Sequence, residues 1–133
     1  MAIWQGRPKR KSSGGRLRLA RKKRKFEVGR EKQFTHVGAR KVKMYRTKGA
    51  NSKARLLTVD SANVVDPKTK AIKKVKILTV KSNPSNPNYV QRNIMTKGAT
   101  VMTDLGEAVI TSRCGQDGVV NAILLATGEK PSA

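Results

Sequence analysis

Ala99-Thr100-Val101-Met102-Thr103, Asp104-Leu105-Gly106-Glu107, Ala108-Val109-Ile110-Thr111-Ser112-Arg113, Gly115-Gln116-Asp117-Gly118 and Val119-Val120-Asn121-Ala122-Ile123-Leu124-Leu125 stand close together near the end of the chain. Three runs rich in β-branched residues alternate there with two glycine-bearing connections of hairpin length. Stiff side chains at this spacing suit pleated, half-buried surfaces and leave no room for a long helix.

The pattern continues upstream. Tyr89 to Met95 reads as a further run, preceded by the rigid loop Asn83-Pro84-Ser85-Asn86-Pro87-Asn88. Lys74 to Lys81 reads as a strand with Val75, Ile77 and Thr79 alternating against Lys74, Lys76, Leu78 and Val80. Asn63-Val64-Val65-Asp66-Pro67-Lys68 reads as a strand end entering a turn, since Asp66 bonds the backbone ahead and Pro67 presets φ. Ala54 to Asp60 places Leu57 and Val59 on one face, and Lys41 to Tyr45 sets Val42 and Met44 against Lys41, Lys43 and Tyr45. Short strands at close spacing predict a mainly β chain: a small antiparallel β-barrel of about six or seven strands, closed so that no edge is left, with a long basic N-terminal extension. The expected divisions are a basic arm over 1–38, the barrel over 39–127 and a frayed tail over 128–133.

Charge divides the 133 residues differently from apolar content. Residues 82–133 carry four basic and four acidic side chains, so the whole net charge of +22 lies in residues 1–81. It is densest from Arg7 to Lys25, where 11 basic residues meet no acid. Only 10 of the first 36 residues are hydrophobic, too few for a core, so the arm is expected to gain order from a polyanion. No apolar run of 18 residues spans a bilayer, no apolar stretch follows the N-terminus as a secretory signal would, and Cys114 has no second cysteine, which fits a reducing compartment.

Catalysis is excluded by elimination. His36 is the only histidine and sits where arm and barrel meet, read as solvated or phosphate-facing. One His and one Cys lack the paired spacings of zinc sites, Cys114 reads as an inert turn residue, and the eight carboxylates are scattered. Glu27 and Glu31 are read as local partners of Lys23, Lys32 or Arg30. Neither common phosphate-loop motif occurs, so no enzyme activity, cofactor, metal or small-molecule substrate is expected.

What remains is phosphate recognition. Arg7, Lys9, Arg10 and Lys11 form one cluster, Arg16, Arg18, Arg21, Lys22, Lys23, Arg24 and Lys25 a second, and Arg40, Lys41, Lys43, Arg46, Lys48, Lys53 and Arg55 a third. Arginine forks clamp two phosphate oxygens, and Gly14, Gly15 and Gly49 let backbone approach a nucleic-acid groove. Trp4 either stacks on an unpaired base or packs against protein. With five aromatics in the chain, recognition is expected to be of shape and backbone, not of stacked bases. A general nucleic-acid-compacting, chromatin-type protein is the alternative reading; a membrane-active peptide precursor lacks the apolar helical face it would need.

Trp4-Gln5-Gly6-Arg7, Gly14-Gly15-Arg16-Leu17-Arg18, Arg21-Lys22-Lys23-Arg24-Lys25 and Gly29-Arg30-Glu31 resemble the N-terminal arm of the archaeal and eukaryotic small-subunit ribosomal protein family eight of the "e" series. Asn63-Val64-Val65-Asp66-Pro67, the stretch from Asn83 to Ile94, Thr96-Lys97-Gly98-Ala99 and the stretch from Thr111 to Ala122 match that family in order, from Trp4 to Leu125 overall. Cys114 stands where the family pattern leads one to expect proline, and Asn88 where it leads one to expect histidine. The resemblance implies a cytoplasmic, structural component of the small ribosomal subunit, with a basic extension among rRNA helices, neighbouring ribosomal proteins as partners, and no homo-oligomer. Eukaryotic members are longer, so this compact chain resembles the archaeal ones. Carried over by position, the resemblance adds Gln5, Gly6, Arg30 and Asn51 to the rRNA-contacting set, together with Arg92, Lys97 and Arg113.

Overall fold

The Ala99 to Ile110 stretch forms the expected hairpin, with Gly106 opposite Thr103 and Val109 opposite Thr100. The structure, a computed structural model, describes residues 3–125. In chain order its strands are β1 (Ile3–Trp4), β2 (Val28–Gly29), β3 (Thr35–Val37), β4 (Lys41–Arg46), β5 (Ser52–Val59), β6 (Ser61–Val65), β7 (Ile72–Ser82), β8 (Ile94–Met95), β9 (Thr100–Thr103), β10 (Gly106–Ile110) and β11 (Asn121–Leu124). Two single-turn helices, α1 (Asn88–Gln91) and α2 (Cys114–Asp117), interrupt them. The chain falls into two compact units, Met1–Lys32 and Gln33–Ala133. The expected tail over 128–133, and residues 126 and 127 of the expected barrel, lie outside the described residues.

The second unit holds a closed barrel in the order β10-β11-β6-β7-β9. Five strands close it, and an odd number of strands does not close with every neighbour antiparallel. One seam has to be parallel, and it is β11 on β6, with Ala122 opposite Val64. The remaining strands form a second sheet, β4-β5-β3-β8, in which β3 also runs parallel to β5. Inner residues of both sheets, among them Leu56, Val64, Ile77, Val101 and Ile110, share one core with 2% exposure or less. Residues 33–38, read from the sequence as the end of the arm, belong to this unit, because Thr35 and His36 pair with Met95 and Ile94 and the Thr35 hydroxyl donates to the Leu56 carbonyl at 2.9 Å.

Two alternations break where the sequence gives no warning. Along β5 the register slips between Lys41 and Val42 of its partner, and Leu56 and Val59 face the core in place of Leu57 and Val59. Along β7 it slips between Ile77 and Thr79, so Val80 is buried and Thr79 exposed, the reverse of the alternation expected beyond Ile77. Bulges of this kind bend and twist a strand, which an 11-residue strand wrapping a small barrel requires.

The loops are built by local polar bonds. Asp66 accepts from the Lys68 amide at 3.0 Å and the Thr69 hydroxyl at 2.9 Å, giving the turn expected there and holding its carboxyl below the usual range. Asn83 is buried and accepts from the Ser85 amide and the Thr96 hydroxyl while donating to the Ile94 carbonyl. Tyr89, Val90 and Gln91, expected in a strand, form α1, since Pro87 presets a helical φ and Tyr89 packs its ring on Phe34 at 5.2 Å. Residues 114–117, expected as a hairpin turn, form α2, ended by Gly118 at φ +75°. A Cβ on Gly118 would stand 2.9 Å from that of Ala54, so only glycine both ends this helix and lets it lie on β5.

Candidate nucleic-acid interface

In the first unit, residues 3–32 fold back instead of running out as an extension. Trp4 pairs with Val28 and Ile3 with Gly29 at the base. Nearer the tip, Arg10 bridges Arg16, the Leu17 amide bonds the Lys9 carbonyl at 2.8 Å, and the Arg10 guanidinium holds the Gly14 carbonyl at 2.8 Å across a turn. This is a basic loop with a narrow waist. Arg7, Lys9, Arg10, Lys11, Arg16, Arg18, Arg21, Lys22, Lys23, Arg24, Lys25 and Arg30 are all exposed on it.

Glu27 organises this loop. Its carboxylate accepts from the Trp4 indole at 3.1 Å, the Arg24 amide at 3.2 Å and the Arg21 guanidinium at 2.6 Å, so Arg21, not Lys23, is its ionic partner. The Trp4 bond is the largest cause holding its carboxyl below 4.5, ahead of the Arg24 amide and Arg21 and against a smaller opposing effect of burial. Trp4 is therefore packed within its own unit: Lys23 lies 5.5 Å from its ring, and a Cβ on Gly6 would stand 2.3 Å from it. A carboxyl whose pKa falls on folding stabilises above its ordinary value and loses that contribution as pH drops through the lowered one. The single Trp makes this visible. We expect Trp4 emission to hold steady down to about pH 4.5 and red-shift below it, and Glu27→Ala to show the red-shifted spectrum at neutral pH; an unchanged spectrum in Glu27→Ala would contradict the role of Glu27.

The third basic cluster lies on the β4–β5 hairpin. Lys43 stands opposite Arg55 and Tyr45 opposite Lys53, so these four share a face. The Lys43 ammonium and Arg55 guanidinium lie 5.3 and 5.1 Å from the Tyr45 ring, and Gln33 donates to the Tyr45 hydroxyl at 2.7 Å. Burial raises the phenol pKa, but bonds from Lys43 and Gln33 and the nearby cations outweigh it and bring the pKa down. Tyr45 thus lies between two cations, on the face that the alternation had assigned to it together with Lys43. Lys48 and Gly49 lie exposed at the tip, whereas Asn51 spends its side chain on the Lys48 carbonyl at 3.2 Å and shapes the turn.

The remaining sites are spread out. Arg40, Lys41 and Arg46 lie exposed before and along β4. Arg113 is exposed at the start of α2, which packs on β5 at Ala54. Arg92 follows α1 beside β8, at the opposite edge of that sheet, and Lys97 is exposed in the turn between β8 and β9. Lys74 and Lys76, outward on β7, are cations that the residue clusters passed over.

Acid–base and thiol groups are few. His36 bonds the Arg92 carbonyl through Nδ1 at 3.1 Å, and among the described residues no group of three His, Cys, Asp or Glu is placed to hold a metal. Burial, first of all, raises the Cys114 thiol from 9.0 to about 11. Its stabilising, neutral form persists below 9.0 and is lost between there and about 11. At pH 8, iodoacetamide should therefore label the native chain about 100-fold more slowly than the unfolded one. Equal rates would contradict the buried position.

No helix among the described residues is long and apolar enough to cross a membrane. The sequence profile of the ribosomal protein S8e family matches residues 4–125. Proteins named small ribosomal subunit protein eS8 are similar throughout: that of Picrophilus torridus is 55% identical over 125 residues, covering 94% of this chain and 100% of the relative. Those of Methanocella arvoryzae and Methanocorpusculum labreanum are 54% and 51% identical over 123 residues, each covering 92% of this chain and 98% of the relative. With identity of this order along almost the whole described chain, and the barrel and basic loop falling inside the matched residues, the protein belongs to the ribosomal protein S8e family.

Proposed function

We propose that the protein is a structural constituent of the archaeal small ribosomal subunit in the cytoplasm, where it grips rRNA phosphates through two surfaces. The first is the basic loop, with Arg7, Lys9, Lys11, Arg16, Arg18, Lys22 and Lys25 pointing to solvent. The second is the hairpin, with Lys43, Arg46, Lys48, Lys53 and Arg55, which Arg40, Lys41 and Arg113 extend. Charge segregation carries this reading: 26 of the 30 basic residues lie before residue 82, and the rest of the chain is neutral. It works by binding and not by catalysis, in keeping with its family. The barrel supplies a rigid mount for the hairpin, and shape with phosphate contact supplies recognition.

A nucleic-acid-compacting protein would use the same charge but would not choose among polyanions. Competition at about 0.3 M salt separates the two, because non-specific phosphate binding weakens steeply there while a fitted site keeps additional contacts. Small-subunit rRNA should displace duplex DNA at a small fraction of the DNA concentration. Equal displacement by the two would favour compaction.

A further inference from the structure

The barrel's outer wall carries an apolar row that neither phosphate-binding surface uses. Register sets Ile72 opposite Val65, Val65 opposite Ile123 and Ile123 opposite Val109, one line across β7, β6, β11 and β10. Their chain neighbours Val64, Ala108, Ile110 and Ala122 are buried inside the barrel, which puts the four on its outside. At about 4.8 Å per strand the row is about 14 Å long. Ile72 is 69% exposed and Ile123 44%, with Val65 and Val109 half-buried. A lone exposed aliphatic residue is ordinary; four in register across one wall form a surface.

The flanks define what fits it. Lys74 and Lys76 continue the outward face of β7, opposite Asn63 and Ser61, and Asn63 donates to Asn121 at 3.2 Å across the parallel seam. No arginine occurs from Leu56 to Gln91, although both phosphate surfaces are rich in it. Lysine presents a point charge without the fork that clamps two phosphate oxygens, and no aromatic ring stands in the row for a base to stack on. RNA therefore has little to match here. A second copy of the chain would bring the same lysines face to face.

We propose that this wall docks a segment of a neighbouring protein of the small subunit, with apolar side chains on the Ile72–Val109 row and carboxylates toward Lys74 and Lys76. The inference rests on the chain being a small-subunit component. A photo-crosslinking residue is placed at position 109 of the full chain, and its products in purified small subunits are identified by mass spectrometry. The expected product is one peptide of another protein that carries both apolar and acidic residues. Ile72→Asp with Ile123→Asp should lower its yield at least about 10-fold, while Ile72→Val with Ile123→Val retains it. Crosslinks to rRNA, to a second copy or to no protein would overturn the proposal, as would an unchanged yield in the aspartate pair. Affinity for isolated rRNA is measured separately and should stay within about two-fold in both pairs. Undiminished rRNA binding by Lys43→Gln and Arg55→Gln variants would count against the phosphate reading alone.

Discussion

Replacing Arg7, Lys9, Lys11, Arg16, Arg18, Lys22 and Lys25 with glutamine is expected to weaken binding to small-subunit rRNA by at least about 10³-fold near 0.15 M salt. Residues 1–32 hold 13 of the 30 basic side chains and two acids, a net +11, half the charge of the chain. Each phosphate neutralised releases condensed counterion and steepens the fall of log K with log salt by about 0.7 to 0.9. A chain gripping about ten phosphates gives a slope of about −7 to −9, and loss of seven contacts makes it shallower by about 5 to 6. The seven are chosen because none of their side chains makes a bond that folds the loop, the Lys9, Lys11 and Arg16 bonds there being made by backbone. The Arg10 side chain, by contrast, holds Gly14, that of Arg21 binds Glu27 and that of Lys23 covers Trp4. Trp4 emission therefore serves as the control for an intact fold. Intact emission with an unchanged slope would show that the loop does not contact rRNA phosphates.

The sequence carried the charge and the strands further than it carried the faces. Asp66-Pro67 reads as a turn because an Asx bond and a fixed φ are local, and the Gly106 hairpin reads as a hairpin for the same reason. The loop of residues 3–32 was not legible, because what closes it is a bond from Trp4 to Glu27 across 23 residues and a two-residue ladder, neither of which leaves a periodic trace. Strand count was approximate because Thr35–Val37 looks like the end of the basic arm. Its strand character comes from β5 and β8, which are distant in sequence. At the site, cation positions were readable from composition, but the face shared by Lys43, Tyr45, Lys53 and Arg55 depends on register, which only pairing fixes. The helical turn at Cys114 depends likewise on contact with Ala54.

The bulges make the sharpest test of the barrel, because they reverse what simple alternation assigns. Alternation from Ala54 points Leu57 and Val59 inward, whereas Leu56 is 1% exposed and Leu57 only half-buried. Leu56 is among the largest fully buried side chains, in a core shared by both sheets of the second unit. Truncation there removes apolar burial and leaves a void that β-sheet backbone closes poorly, so Leu56→Ala should cost about 3 to 4 kcal/mol. Leu57→Ala should cost about 1 kcal/mol, its side chain being partly in water already. Along β7 the same contrast sets Val80→Ala, a core truncation, against Thr79→Ala, which removes an exposed hydroxyl bonded to Asn93 at 3.0 Å. Urea unfolding at constant slope measures both pairs, and in heat the Leu56 variant should melt about 10 °C or more below the parent. A chain in which Leu57→Ala is the costlier change would have no bulge in β5. Its hairpin would then present Lys43 and Arg55 toward the core, where two unpaired cations are not sustained, so the position of the bulge and the cationic face stand or fall together.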